Sequence, residues 1–336
     1  LHGSLFWFHN NSALAARNFF ESRKTSRRSN LAGFAVGGPL KRDKVFWFGN
    51  YETFRPRGQQ LARFQTLTNA ERAQASLAVQ PLADLYPVSP TGDRVLSTTV
   101  PRSVIQHTYL FRGDVYLTQR QSLMLRTNYT DGNTDTTAIG NTVGSRVLIH
   151  NQTQSAAAHH PYLTPTKVNE LRLGYTSQTE DDSFLDPPLL GNPAVNGEVV
   201  FLIVPGLSPG GFLGFLGRKN FQNNYQVSDD LTLRAGAHAW KFGSSLRRVQ
   251  VNGGAETSGF RGQLFFPTVG EFLAGRPLSY TRNIGNPFLG LRRWEWHTYV
   301  QDDWQIRPNL MLNLGLRYEL NTAPTEQYGR LPAQVP

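Results

Sequence analysis

Nine residues near the end of the chain decide the fold: Leu312-Asn313-Leu314-Gly315-Leu316-Arg317-Tyr318-Glu319-Leu320. One parity of this stretch is entirely apolar or aromatic, and the other parity holds Asn, Gly, Arg and Glu. Side chains of a β-strand point alternately to opposite faces, so this strict period of two predicts a strand with one apolar and one polar face.

The same alternation recurs throughout the chain. It predicts thirteen strands, at 1–10, 30–38, 44–54, 103–118, 121–131, 147–160, 166–179, 222–235, 238–251, 258–266, 278–288, 292–306 and 309–321. Tight turns alternate with long connections rich in Gly, Pro, Asn, Asp and Ser, and the longest connections span about 56–101 and 180–221. Short turns on one side and long loops on the other are the plan of an outer-membrane β-barrel.

We therefore predict an all-β fold, a partial antiparallel transmembrane β-barrel of about 13 strands with short periplasmic turns and long outer loops. Lipid cannot hydrogen-bond the two edges of an open sheet, so further strands are expected beyond Pro336. The whole of 1–336 is then the N-terminal part of one barrel. Short helices are predicted at 11–20, 68–77 and 269–273, as decorations of the loops.

The composition excludes several classes of protein. The 336 residues carry a net charge of +10, but only 17 % of them are charged, and there is no cysteine. Disulfide scaffolds, cysteine zinc sites and thiol nucleophiles are excluded. No apolar run reaches the length of a membrane-spanning helix. The basic residues are thinly spread, and no nucleic-acid partner is predicted.

Aromatic residues cluster near the expected strand ends, where a girdle would meet the lipid headgroups. The girdle candidates are Trp7, Trp47, Trp294, Trp296, Tyr299 and Trp304. The alternative is a soluble β-protein with these rings packed inside its core.

Three segments carry a family resemblance. The segments are residues 1–10 (LHGSLFWFHN), 30–52 (NLAGFAVGGPLKRDKVFWFGNYE) and 299–306 (YVQDDWQI), the last with the 310–319 strand. They resemble the first strands and a shared hairpin of Oar-like TonB-dependent outer-membrane receptors. The resemblance implies a cell outer-membrane location, a plug domain before Leu1 and a barrel of about 22 strands. It also implies contact with outer-membrane lipid and lipopolysaccharide, with the chain's own plug, and with the TonB complex through the missing N-terminal part.

Polar residues on the predicted strands are the main site candidates, since in a plugged barrel they would hold the plug or line the route that opens when it moves. They are Arg112, Asp114, Arg126, Asn128, Arg172, Asn313, Arg317 and Glu319. Hydration of a polar interior is the alternative role, and the sequence leaves both open.

No enzyme, cofactor or metal site is predicted. The neighbouring carboxylates Asp229-Asp230 and Asp302-Asp303 point to opposite faces of a strand, and so do His159-His160. Neither an acid and base pair nor a two-histidine metal site forms from such neighbours.

The predicted function is that of a fragment of a TonB-dependent receptor, which actively takes up a large scarce ligand such as a siderophore, cobalamin, glycan or peptide. The first alternative is a structural or adhesive outer-membrane barrel without active transport. The second is a soluble carbohydrate-binding β-protein, in which alternation would bury both faces and the loops would show no asymmetry.

Overall fold

Eleven long antiparallel strands form one sheet in the computed structural model, which describes residues 1–19, 24–137, 143, 146–185, 201–211, 218–255 and 262–330. The first seven are β1 (His2–Asn11), β2 (Arg27–Lys41), β3 (Val45–Gln65), β4 (Val95–Thr118), β5 (Gln121–Thr137), β6 (Arg146–Leu163) and β7 (Lys167–Leu185). The last four are β10 (Arg218–Ala235), β11 (His238–Ala255), β14 (Leu289–Arg307) and β15 (Leu310–Asn321).

These strands lie in the sheet in chain order, β1-β2-β3-β4-β5-β6-β7-β10-β11-β14-β15, and the two-residue β16 (Thr325–Glu326) also pairs with β14. Among the described residues, β1 pairs only with β2 and β15 pairs only with β14. The sheet is therefore open, as a partial barrel requires.

The predicted asymmetry of the connections is confirmed. At one end of the sheet the strands are joined by turns of two or three residues, at 42–44, 119–120, 164–166, 236–237 and 308–309. At the other end the connections are longer, and they span 12–26, 66–94, 138–145, 186–217 and 256–288. In outer-membrane barrels short turns are periplasmic and long loops are extracellular, so we refer to these as the inner and outer ends.

The strand register sorts the side chains into two faces. Along one row, Tyr51, Tyr109 and Tyr129 are direct cross-strand partners on β3, β4 and β5. Their face, here called the apolar face, carries Phe111, which is 51 % exposed, and Leu173, which is 49 % exposed. Large apolar side chains exposed on interior strands of a sheet suit lipid rather than water.

Most of the hydrophobic core lies in the loops and not in the long sheet. It is surrounded by a second, four-stranded sheet of β8 (Phe201–Ile203), β9 (Gly210–Gly211), β12 (Gln263–Phe265) and β13 (Ser279–Thr281), in the order β13-β12-β8-β9. Three short helices complete it, α1 (Asn69–Ala73), α2 (Gln80–Ala83) and α3 (Val269–Leu273). We call residues 66–94, Val143, 201–211 and 262–281 the loop cap.

The loop cap packs on the second face of the long sheet, the polar face. Ala62 and Phe64 of β3 are buried in the cap's core, with Leu96 and Val100 of β4 against it. These positions have the same parity as Arg112 on β4, so they lie on its face. The loops thus fold inward over the polar face, which identifies it as the interior side of the barrel wall.

Several predictions about the elements need correction. Residues 56–65 and 95–101, predicted as loop, continue β3 and β4, because their backbones remain paired above the apolar band. Within the described residues, the predicted strands at 258–266 and 278–288 are not barrel strands. Their described parts contribute only the short β12 and β13 of the second sheet, because they pair with one another and with β8.

The helix predictions hold in part. The one at 269–273 is confirmed as α3, and that at 68–77 is confirmed as the shorter α1. Thr68 and Glu71 cap α1 reciprocally. In the described part of 11–20 only a single 3₁₀ turn forms, at Ser12–Leu14. None of the helices in the described ranges has the length and apolarity needed to cross a membrane.

Candidate functional site

The polar face carries a set of ion pairs that begins near the inner end of β4 and β5. The Arg112 guanidinium donates to both carboxylate oxygens of Asp114, two residues along the same face, with both distances 2.8 Å. Arg112 lies directly opposite Arg126 on β5, so the Asp114 carboxylate offsets one of two neighbouring positive charges. The Asn128 amide donates to Ser155 on β6 at 3.0 Å and continues the chain of polar contacts.

A second network crosses five strands, from β6 to β14. The Arg172 guanidinium donates to Glu170 at 2.7 Å and to Asp230 on β10 at 2.5 Å. The Tyr299 hydroxyl on β14 donates to the same Asp230 carboxylate at 2.9 Å. His159 on β6 lies 3.2 Å from Glu170. Arg172 therefore lies between two carboxylates, and each of these also contacts a side chain on a further strand.

Tyr299 reaches Asp230 across β11, whose residue between them is Gly243. A Cβ atom built on Gly243 would overlap the Tyr299 ring and the Asp230 carboxylate. Gly243 lies opposite both Asp230 and Tyr299 in the register. Glycine at this position is therefore required by a side-chain contact, and the network depends on a residue that has no side chain.

Glu295 of β14 is one of the deeply buried charges on the polar face and is 4 % exposed. It accepts from Arg247 on β11 at 2.6 Å and is also paired with Arg293 on its own strand. Burial of a carboxylate is costly unless it is paired and hydrogen-bonded. The two arginines satisfy that requirement on opposite sides of one carboxylate.

The edge strand β15 supplies the remaining candidates. Arg317 donates to Glu319 two residues along the same face, and Glu319 lies 3.8 Å from His297 on β14. Asn313 lies on the same face, opposite Asp303. All eight predicted interior residues thus lie on the polar face, and Arg172 belongs to the widest network.

Five of the six girdle candidates, Trp7, Trp47, Trp294, Trp296 and Trp304, lie on the apolar face. Tyr299 does not, and its placement in the girdle needs correction. It has the opposite parity to Trp296, so period two turns it inward, where its hydroxyl finds Asp230. On the apolar face the Arg248 guanidinium stacks on the Trp294 ring at 4.7 Å.

The loop cap is held together by a small aromatic and aliphatic core. Phe272 is fully buried and packs edge-on against Phe266 and Tyr86, with ring centroids 5.1 and 6.1 Å apart. The Arg72 guanidinium donates to the carbonyl oxygens of Ala83 at 2.9 Å and Tyr86 at 2.8 Å. Burial raises the pKa of the Tyr86 hydroxyl. This packing makes three loop segments into one unit over the outer end of the polar face.

Several of these residues escaped sequence reasoning. Glu295 and Arg247 lie on strands with the same polar and apolar alternation as the predicted residues. They are 48 positions apart in the chain, so their pairing depends on the register of two strands. Asp230 was recognised only as the neighbour of Asp229, with the two on opposite faces, as the register shows. The alternation could have marked Gly243 as a glycine within a strand. It could not have shown that the Tyr299 side chain crosses this position.

The histidine pair and the carboxylate pairs remain separate in the structure. His159 lies on the polar face, and the other face of β6 carries His160. Asp303 accepts from Lys241 on the polar face at 2.9 Å, whereas Asp302 lies on the apolar face, 2.6 Å from His238. No group of three or more metal-binding side chains occurs within the ranges that the structure describes.

Comparison with known proteins agrees with this geometry. A family model of the outer membrane beta barrel domain matches residues 1–84 and 71–334. The chain belongs to that family. No curated protein sequence matches the chain. Its localisation is accordingly the outer membrane.

Among solved structures, the fold is similar to that of the outer membrane transporter YddB from Escherichia coli. The sequence identity is 12 % and the TM-score is 0.51. The match covers 90 % of this chain and 35 % of the transporter's chain, so the chain spans about a third of that protein's length. At this identity the similarity concerns the fold alone.

Proposed function

We propose that this chain is part of the barrel of a TonB-dependent outer-membrane transporter, which takes up a large scarce ligand with energy supplied from the inner membrane. The observation that carries the proposal is the polar face. Its ion-pair networks cross most of the sheet, and the described residues build no apolar core there except under the loop cap. Such a wall suits an interior filled by water and a polar partner, as in plugged barrels.

In this proposal the plug domain is the polar partner. The guanidinium groups of Arg112, Arg126 and Arg317 are exposed, so they can donate hydrogen bonds to new partners. Each exposed pair contributes little to stability, so exchanging one partner for another costs little. A plug held through such pairs would be fixed in the resting state and released by a modest force.

The loop cap would form part of the outer vestibule in the same proposal. It joins segments from separate connections and lies over the outer end of the interior side. A ligand that arrives from outside would meet this cap before it meets the sheet. The resemblance to Oar-like receptors and the likeness to an outer membrane transporter support the proposal. The alternative is a structural or adhesive barrel, while outer-membrane membership removes the soluble carbohydrate-binding alternative.

Uptake by intact cells tests the proposal. The source strain and a strain lacking the whole parent gene are given labelled ferric siderophore, cobalamin, oligosaccharide and oligopeptide, with and without a protonophore. Transport predicts that at least one probe accumulates only when both the gene and the proton-motive force are present. Equal uptake of all four probes by the two strains, together with lost detergent resistance or lost surface adhesion in the deletion strain, would favour the structural alternative.

A further inference from the structure

A cavity of about 730 Å³ lies at the outer ends of β2, β3 and β4, beside the connection that follows β1. Six cationic side chains line it, and no Asp or Glu is among the described lining residues. The cations are Arg17, Lys24, Arg27, Arg28, Arg57 and Arg102. None of them belongs to the networks described above.

The strand register explains the shape of this cavity. Arg27, Gly58 and Arg102 are direct partners across β2, β3 and β4, on the polar face. The two arginines are thus two strand spacings apart, roughly 10 Å between Cα atoms, with a glycine between them. A Cβ atom on Gly58 would overlap the carbonyl oxygen of Ser26. The close approach of the backbone therefore excludes a side chain at position 58, and none stands between the two arginines.

The same cavity contains an unfavourable charge arrangement. Arg28 and Arg57 are directly opposite on β2 and β3, on the other face of these strands from Arg27 and Arg102. Like charges at such positions are destabilising. Arg28, Arg57 and Arg102 make no side-chain hydrogen bond or ion pair with the residues that the structure describes. Of these three, only Arg102 lies on the polar face, together with Arg27. An anion bound on that face would pair with Arg102 and Arg27.

We propose that this cavity is a binding site for a phosphate-bearing anion. A guanidinium presents paired N–H donors that match two phosphate oxygens, and Lys24 adds a mobile point charge. Ser12 adds a hydroxyl whose oxygen accepts from the Arg27 backbone N–H at 3.0 Å, which leaves its proton to donate. Phe54 and Val104 provide an apolar floor for the rest of a ligand. The phosphate belongs to a soluble ligand arriving from outside or to an outer-leaflet lipid headgroup.

Binding to the intact parent polypeptide, purified from outer membranes into detergent, tests the site. The probe is inorganic triphosphate, titrated calorimetrically against the natural protein, Arg27→Gln, Arg102→Gln and the double variant. The matched control is Arg120→Gln, which removes the same charge from a tight turn at the inner end. Each cavity variant is expected to weaken binding about tenfold and the double variant about a hundredfold. High salt weakens binding to the natural protein, and the control variant binds as the natural protein does.

A second arm identifies the source of the phosphate. Detergent-purified natural protein and double variant are mixed with phosphatidylethanolamine vesicles with and without lipid A. A headgroup site predicts lipid A-dependent retention that the double variant loses. A soluble ligand predicts triphosphate binding with no such retention. If neither binding is altered by the double variant, the proposal is wrong. Uptake is not measured here, so this result stands apart from the proposed transport function.

Discussion

The loop cap is expected to open and close as one cooperative unit, and the Leu82→Ala substitution tests this. Helices α1, α2 and α3 have five, four and five residues. Helices this short are not stable alone in water, so their order depends on the shared core. Leu82 is 5 % exposed and lies in that core. Its truncation therefore weakens all segments of the cap together.

Truncation of a buried leucine costs about 2–5 kcal/mol. If opening of the cap controls amide exchange, the lower bound corresponds to roughly a 30-fold acceleration. The informative amides are those that join separate segments. The N–H of Ser76 donates to the carbonyl oxygen of Leu273 at 2.8 Å, and that of Phe266 donates to Ile203 at 3.0 Å.

Hydrogen exchange with mass spectrometry on the intact parent protein in detergent measures the effect. Peptides from 66–94, 201–211 and 262–281 are expected to exchange faster by the same factor in Leu82→Ala, while β10 and β11 are unchanged. Leu77→Ala is the control, because Leu77 is in the same loop but 93 % exposed, and its truncation is expected to change little. Acceleration confined to 66–94 would refute the single-unit model.

Three further predictions follow from the two faces and the cap. Leu173→Lys, on the apolar face, is expected to destabilise the protein in lipid vesicles by about 2–4 kcal/mol, and Thr176→Lys, on the polar face, by much less; equal shifts of the urea midpoint would contradict the assignment of faces. Gly243→Ala is expected to displace the tyrosine that crosses β11 and to cost about 1–3 kcal/mol, measured in the same unfolding assay, and an unchanged midpoint would show that the crossing is not required. The Arg276 guanidinium donates to both oxygens of Glu271 and holds the pKa of that carboxyl below its ordinary value. The pair's stabilisation is then present above the ordinary pKa and lost as pH falls through the lowered one, so amide protection of α3 should fall as the pH is lowered below the ordinary glutamate pKa of about 4.3, and Arg276→Gln should remove this dependence.

The sequence was sufficient for the architecture because alternation is a local property. Each run of period two specified a strand and its two faces without information from elsewhere in the chain, as Leu312 to Leu320 shows. The error on Tyr299 came from treating a cluster of rings as one group. Applying the same parity to Trp296 and Tyr299 places them on opposite faces.

The sequence underestimated the length of the strands for a related reason. The apolar alternation ends near Tyr109 on β4, but the pairing of β3 and β4 continues outward to Gln65 and Val95. Above the lipid both faces of a strand contact water or loops, so the pattern that marks a membrane strand disappears while the hydrogen bonds persist. Strand ends outside the membrane are therefore set by pairing partners.

What the sequence by itself determined was the strand order, the loop asymmetry and the face of nearly every strand residue, because tight turns and period two act between near neighbours. Only the tertiary structure decided which charges meet and where the core lies. Asp230 and Tyr299 are 69 residues apart, and the core joins loops from separate connections. Such contacts depend on the register of whole strands, and a one-residue shift would turn each of these side chains to the other face.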